Sequence, residues 1–140
     1  MSTVNILVDN SPSDESNARL RNGIVDFNAK YLHEKASPFS IFAQNNKNEI
    51  IGGATIWEHS DAFYIDILWV DENYREQGVG SRLLNELFNQ ATIKHVKKIF
   101  VDTYEFQAVD FYKKQGFFVI GRLEDYLLGH DRIYLRKNLG

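Results

Sequence analysis

The stretch from Leu68 to Leu84 holds the residues whose types and order are best suited to chemistry. An apolar run ends in Leu68-Trp69-Val70, a polar turn carries Arg75, Glu76 and Gln77, and Gly78-Val79-Gly80-Ser81 leads straight into an apolar helical pattern. The first N–H groups of a helix have no partner inside it, and the helix start carries a partial positive charge. Glycine adds no Cβ to hold a ligand away from the backbone. An anion is the natural guest of such a turn, a phosphate or diphosphate above all. Two familiar phosphate loops do not fit. A dinucleotide fingerprint needs a third glycine where Leu83 stands, and a nucleoside-triphosphate loop needs Lys-Ser/Thr where Ser81-Arg82 stand.

The spacing Arg75-x-x-Gly78-x-Gly80, with Tyr74 before it and Ser81-x-Leu83-Leu84 after it, resembles the acyl-coenzyme A loop of the GNAT N-acyltransferase superfamily. Further on, Ala108-Val109-Asp110-Phe111-Tyr112-Lys113-Lys114-Gln115-Gly116-Phe117 is similar to that superfamily's second signature, Ala-x-x-Phe-Tyr-x-x-x-Gly-Phe. The resemblance covers residues 50 to 122, and the first 45 residues match only in element order. It implies acetyl-CoA as cofactor, held by Leu68, Trp69, Val70, Arg75, Glu76, Gln77, Gly78, Val79, Gly80, Ser81, Gln107 and Phe111. In this reading the amides around Gln77 to Ser81 bind the diphosphate, and the backbone of Leu68 and Val70 pairs with the pantetheine arm as an added strand would. It also implies a bulge that splays this strand from the next. Many members carry Asn where this chain has Phe106-Gln107, and Gln107 offers a similar amide.

Acyl transfer from a thioester to an amine needs a neutral nucleophile, a donor for the oxyanion and a proton for the leaving thiolate. Tyr112 is the candidate acid, because a phenol near pKa 10 and a thiol near about 8.5 exchange a proton at little cost. Asp66 is the candidate base or substrate ligand, a carboxylate in an apolar run that also places Tyr64 and Leu68 on its face. Glu58, Asp102, His130 and a water chain are its rivals. Trp57, Tyr64, Tyr104 and His130 are candidates for substrate binding, with Tyr126 and Phe39 beside them, since aromatic rings give shape and an electron-rich face to an ammonium.

These residues need elements to hold them. The pattern predicts a strand at Thr3–Val8, then a helix capped by Ser11 or Ser13 with Leu20, Ile24, Phe27 and Tyr31 as its core stripe. Strands follow at Phe39–Ala43, Glu49–Trp57 and Ala62–Val70, with Gly52-Gly53 marking a bulge or a close backbone approach. A helix at Gly78–Ala91, a strand at Lys98–Asp102, a helix at Gln107–Gln115, a strand at Phe117–Arg122, a loop through Asp125 to His130 and a strand at Arg132–Leu135 complete the chain. The order β-α-β-β-β-α-β-α-β-β describes an α/β (α+β) three-layer domain with a mixed, mostly antiparallel sheet of six or seven strands flanked by helices. The resemblance implies the same order.

Composition narrows the function. At 140 residues the expectation is a single domain over residues 1–140. Without cysteine there is no thiolate metal site and no Cys intermediate, and no metal is expected. Lys and Arg number 16 against 19 Asp and Glu, a net charge of −3, which leaves no basic excess for nucleic acid. No long apolar run suggests a membrane, so a cytoplasmic protein is expected. The reading is an N-acetyltransferase that moves an acetyl group from acetyl-CoA to a primary amine of a small molecule such as an amino acid or polyamine, by direct attack. The alternatives are a protein N-terminal or lysine acetyltransferase and a non-catalytic acyl-CoA-binding module. A homodimer through paired edge strands is compatible with such a sheet.

Overall fold

A computed structural model describes residues 2–140. The chain divides into two compact units, Met1–Lys35 and Ala36–Gly140.

In the first unit a single helix, α1, spans Asp14–Leu32. Ser13 caps it by accepting a hydrogen bond from the Ser16 amide, and Asp14 and Glu15 complement the positive end of the helix. At the other end His33 takes a left-handed conformation and its N–H returns to the Ala29 carbonyl. A lone helix builds no core, so within this unit Leu20, Ile24, Phe27 and Tyr31 form a face that is not buried. The strand expected at Thr3–Val8 is absent. Ile6, Leu7 and Val8 are apolar in succession rather than alternating, and the segment joins no ladder.

The second unit holds strands β1 (Ser37–Gln44), β2 (Ile50–His59) and β3 (Ala62–Val70), helix α2 (Val79–Ile93), strand β4 (Lys98–Tyr104), helix α3 (Val109–Lys114), and strands β5 (Phe118–Leu127) and β6 (His130–Asn138). They make one six-stranded sheet in the order β1-β2-β3-β4-β6-β5. Only β3 and β4 run parallel, because α2 crosses over between them. The apolar stripe of α2 buries Leu84, Leu87 and Ala91 against Phe63, Ile65, Ile99 and Leu135. The loop expected at Asp125–His130 is instead a continuation of the β5–β6 hairpin, turning at Leu128 and Gly129, both at positive φ. Asp125 pins that turn by accepting from the Gly129 amide at 2.8 Å. Among the described residues no helix is long and apolar enough to cross a membrane.

Close backbone packing and a slipped register shape β2 and β3 where the site lies. A Cβ on Gly52 would sit 2.9 Å from the Trp69 carbonyl oxygen, and one on Gly53 2.7 Å from that of Ile41, so both glycines permit a close backbone approach. The β2/β3 register slips between the pairs Thr55↔Ile67 and Ile56↔Ile65, which leaves Asp66 as the extra residue of a bulge. One inserted residue reverses the alternation. Phe63 and Ile65 are buried before it, whereas Leu68 packs on the core after it. Asp66 therefore shares a face with Tyr64 but not with Leu68, which corrects the strict period of two expected from sequence.

Candidate active site

The parallel pairing of β3 with β4 ends at Ile65↔Val101. From Asp66 onward β3 keeps β2 as a neighbour, through Leu68↔Ala54 and Val70↔Gly52, and has no strand on its other side. The sheet opens into a splay whose β3 edge offers unpaired main-chain groups. At the far end of that edge the chain turns through Glu76 (φ 62) and Gly78 (φ 77) and starts α2. Gly78 has no side chain to cap the helix, and the Arg82 amide is the first to bond back to the Gly78 carbonyl. The amides of Val79, Gly80 and Ser81 thus have no partner within the helix.

Edge and helix start belong to one groove of about 630 Å³, lined by Leu68, Trp69, Val70, Arg75, Glu76, Gly78, Val79, Gly80, Ser81, Gln107 and Phe111. Gln77, expected with them, faces a separate groove beside β1, and its side-chain amide donates to the Asn73 carbonyl at 3.3 Å. The two glycines serve different purposes. Gly78 is required by its positive φ in open space, whereas a Cβ on Gly80 would press on the Phe111 ring at 3.2 Å.

Several lining side chains already have partners. Arg75 Nε donates to the Val70 carbonyl at 2.9 Å, which ties the turn to the end of β3 and leaves the rest of the guanidinium. Ser81 Oγ accepts from Gln115 Nε2 at 2.9 Å. Gln107 Oε1 accepts from the Tyr104 amide at 2.7 Å and from Thr103 Oγ1 at 3.0 Å. A backbone N–H can only donate, so the amide oxygen is fixed toward β4 and the NH₂ is the end left for a ligand.

Tyr112, 4% exposed, lies edge-on between Phe111 and Phe117. Burial pushes its phenol well above the ordinary value, and the negative charge of Asp102 adds to the effect. On the opposite face of the sheet Tyr64 stands across from Trp57 on β2 and donates its hydroxyl proton to Asp102 Oδ1. Arg132 holds the other carboxylate oxygen, with Nε at 2.7 Å and Nη2 at 2.6 Å. Burial raises the Tyr64 phenol too, helped by the Asp102 hydrogen bond and by the charges of Asp102 and Asp66. The Arg132 guanidinium also lies 4.5 Å from the Tyr104 ring centroid, and Tyr104 stacks on Phe106. His130 is farther out on the hairpin, bonded through Nδ1 to Glu105 at 2.8 Å and edge-on to Phe106.

The structure sets Trp57 beside Tyr64 on the outer face of the sheet with Asp66 next along β3 at the splay, joins Tyr104 to Tyr64 through Arg132 and Asp102, and leaves His130 at the margin. Arg132 and the central place of Asp102 are not apparent from the sequence. Alternation in Ile99, Val101 and Thr103 does put Asp102 on the outer face, but nothing local couples it to an arginine on the last strand.

Comparison with known proteins gives a consistent result. The model of the "Acetyltransferase (GNAT) family" matches residues 3–117. The crystal structure of an acetyltransferase from Bacillus cereus is 30% identical and superposes with a TM-score of 0.78 over 96% of this chain and 98% of that one. A blasticidin-S acetyltransferase of Streptomyces morookaense is 29% identical over 107 residues, 72% of this chain and 75% of its own. A Bacillus anthracis acetyltransferase structure in complex with acetyl coenzyme A is 25% identical, with a TM-score of 0.66 over 74% of this chain and 63% of that one.

Proposed function

Because the chain belongs to the GNAT acetyltransferase family, we propose that it transfers an acetyl group from acetyl-CoA to a primary amine of a small molecule by direct attack in a ternary complex. The observation that carries this reading is the splay at Asp66, which leaves an unpaired strand edge from Asp66 to Val70 that leads through a turn to the open helix start at Val79. An unpaired edge suits an extended arm and an open helix start suits a diphosphate, so the residues present fit the coenzyme. Bound acetyl-CoA supplies the activated thioester.

The chain's own residues then have separable tasks. The amides of Val79, Gly80 and Ser81 hold the diphosphate, and the β3 edge at Leu68 to Val70 holds the arm in line. The NH₂ of Gln107 is a further donor to the arm. Tyr112 gives its proton to the departing sulfur; burial keeps that phenol protonated until the moment of use. Asp66, exposed at the bulge, takes a proton from the acceptor amine. The similarity to a blasticidin-S acetyltransferase supports a small-molecule acceptor, and the family match across residues 3–117 supports one functional domain spanning both units.

A thiol-release screen of the full chain with acetyl-CoA against amino acids, polyamines, nucleoside antibiotics and peptides tests the reading. Turnover with a small amine supports it. Acetyl-CoA binding by calorimetry with no turnover across the panel would leave a binding module instead.

A further inference from the structure

We propose that Asp102 is a positioning residue for the acceptor amine, acting through the hydroxyl of Tyr64 and itself held by Arg132. The inference rests on the acetyl-transfer reading and concerns how the same site selects its nucleophile.

Three neighbouring strands contribute one side chain each, all on the sheet face away from α2. Tyr64 on β3 opposes Phe100, and Arg132 on β6 opposes Tyr104, so Asp102 on β4 lies midway and both neighbours reach it diagonally. Each carboxylate oxygen is engaged: Oδ1 by the Tyr64 hydroxyl, Oδ2 by Arg132. With its side chain 9% exposed, Asp102 is closed to a substrate and cannot act on one directly. Its charge is balanced by Arg132 and its orientation is fixed by both partners.

The consequence falls on Tyr64. A phenol has one proton, and here that proton is committed to Asp102, so the oxygen turns only lone pairs toward any other ligand. Asp66, at the bulge directly beyond the last β3/β4 pair, bears on Tyr64 electrostatically and forms no ion pair within residues 36–140. An amine in the splay thus meets two acceptors, the Tyr64 oxygen and the Asp66 carboxylate, and no competing donor from either. Such a seat favours a primary amine, which arrives as an ammonium and has N–H groups for both. Without Asp102 the Tyr64 proton is free to rotate toward the amine and oppose it.

The test uses the full chain with acetyl-CoA and its best acceptor from the amine panel, comparing wild type, Asp102→Asn, Tyr64→Phe and the double variant. Expected for each single variant is an acceptor KM raised about tenfold or more, with kcat changed less and the acetyl-CoA dissociation constant unaltered, the pattern of a lost ground-state hydrogen bond. The double variant is expected to be no worse than the poorer single one, because both act through one contact. An unchanged acceptor KM in Tyr64→Phe, or effects of the two changes that multiply, overturns the proposal. So does an Asp102→Asn loss matched by weaker acetyl-CoA binding and a lower Tm, which marks a purely structural role. Should Asp102→Asn fail to fold, Tyr64→Phe alone decides, since it trims one hydroxyl from a half-exposed ring. A wild type that acetylates no amine refutes the acetyl-transfer reading itself, and the proposal falls with it; an active wild type with unaffected variants refutes the proposal alone.

Discussion

Along the β3 edge beyond the splay the open groups belong to the main chain: the unpaired stretch from Leu68 to Val70 and the free amides at the start of α2. On the sheet face away from α2 they are side chains drawn from separate strands, with Trp57, Tyr64, Asp102 and Arg132 each on a different one, and Asp102, held by Arg132, fixes the Tyr64 hydroxyl from behind. In the proposed reading the first is the donor side, contiguous in sequence, and the second is the acceptor side, assembled across the sheet. Main-chain recognition needs only that the backbone be bare and correctly bent, which two glycines and a bulge supply. Side-chain recognition can vary residue by residue without disturbing the backbone, as acceptor specificity within one family requires.

Four measurements press on this division. The largest effect is expected from Tyr112→Phe, which removes the proposed acid and leaves the ring packing: transfer falls by about 10²–10⁴-fold while acetyl-CoA binding by calorimetry is retained. Gly80→Val attacks the donor side alone. Its extra carbons meet the Phe111 ring, which already lies 3.2 Å from a Cβ at that position, and the overpacking costs about 1–3 kcal/mol. Weaker acetyl-CoA binding with an unchanged acceptor KM is the expected split; a changed acceptor KM would show that the two sides are not independent. Gly78→Ala forces a side chain into the left-handed region at φ 77 and is expected to lower stability by about 1–2 kcal/mol in a denaturant titration.

The smallest effect is on alkaline stability. Burial raises the Tyr112 phenol above its ordinary value of about 10, so below that pH folded and unfolded chains are both protonated and no pH dependence arises. Above it the unfolded chain loses a proton that the folded chain retains. Stability should therefore fall as pH rises past about 10, by at most about 1.4 kcal/mol per pH unit from this residue. Tm measured from about pH 8 to 11 should decline less steeply in Tyr112→Phe, and parallel curves would remove Tyr112 as the source.

The donor side is legible in the sequence because its signals are local. Strand β3 has the limits the pattern predicts, Ala62–Val70, and α2 begins where Gly78 and the apolar stripe place it. The bulge is visible only through the family resemblance, and its position at Asp66 is not, because an inserted residue leaves no mark in a run as apolar as Phe63 to Val70. The same missing mark puts Leu68 on the wrong face. At Thr3–Val8 an apolar segment reads as a strand, yet strand formation depends on a ladder partner and not on composition. At Asp125–His130 polar residues and a glycine read as a loop, whereas Asp125 and Asp131 use their carboxylates to fix a hairpin.

By itself the sequence determined the glycine turn, the helix behind it and the tyrosine of the second motif, since each depends on backbone geometry and spacing within a few residues. Only the tertiary structure decided which side chains meet at the splay. Tyr64 and Arg132 lie 38 and 30 positions from Asp102 along the chain and become its neighbours through strand register alone. Register is a property of paired strands: it is set by the bulge, the crossover through α2 and the packing of the core together, and no single segment contains it.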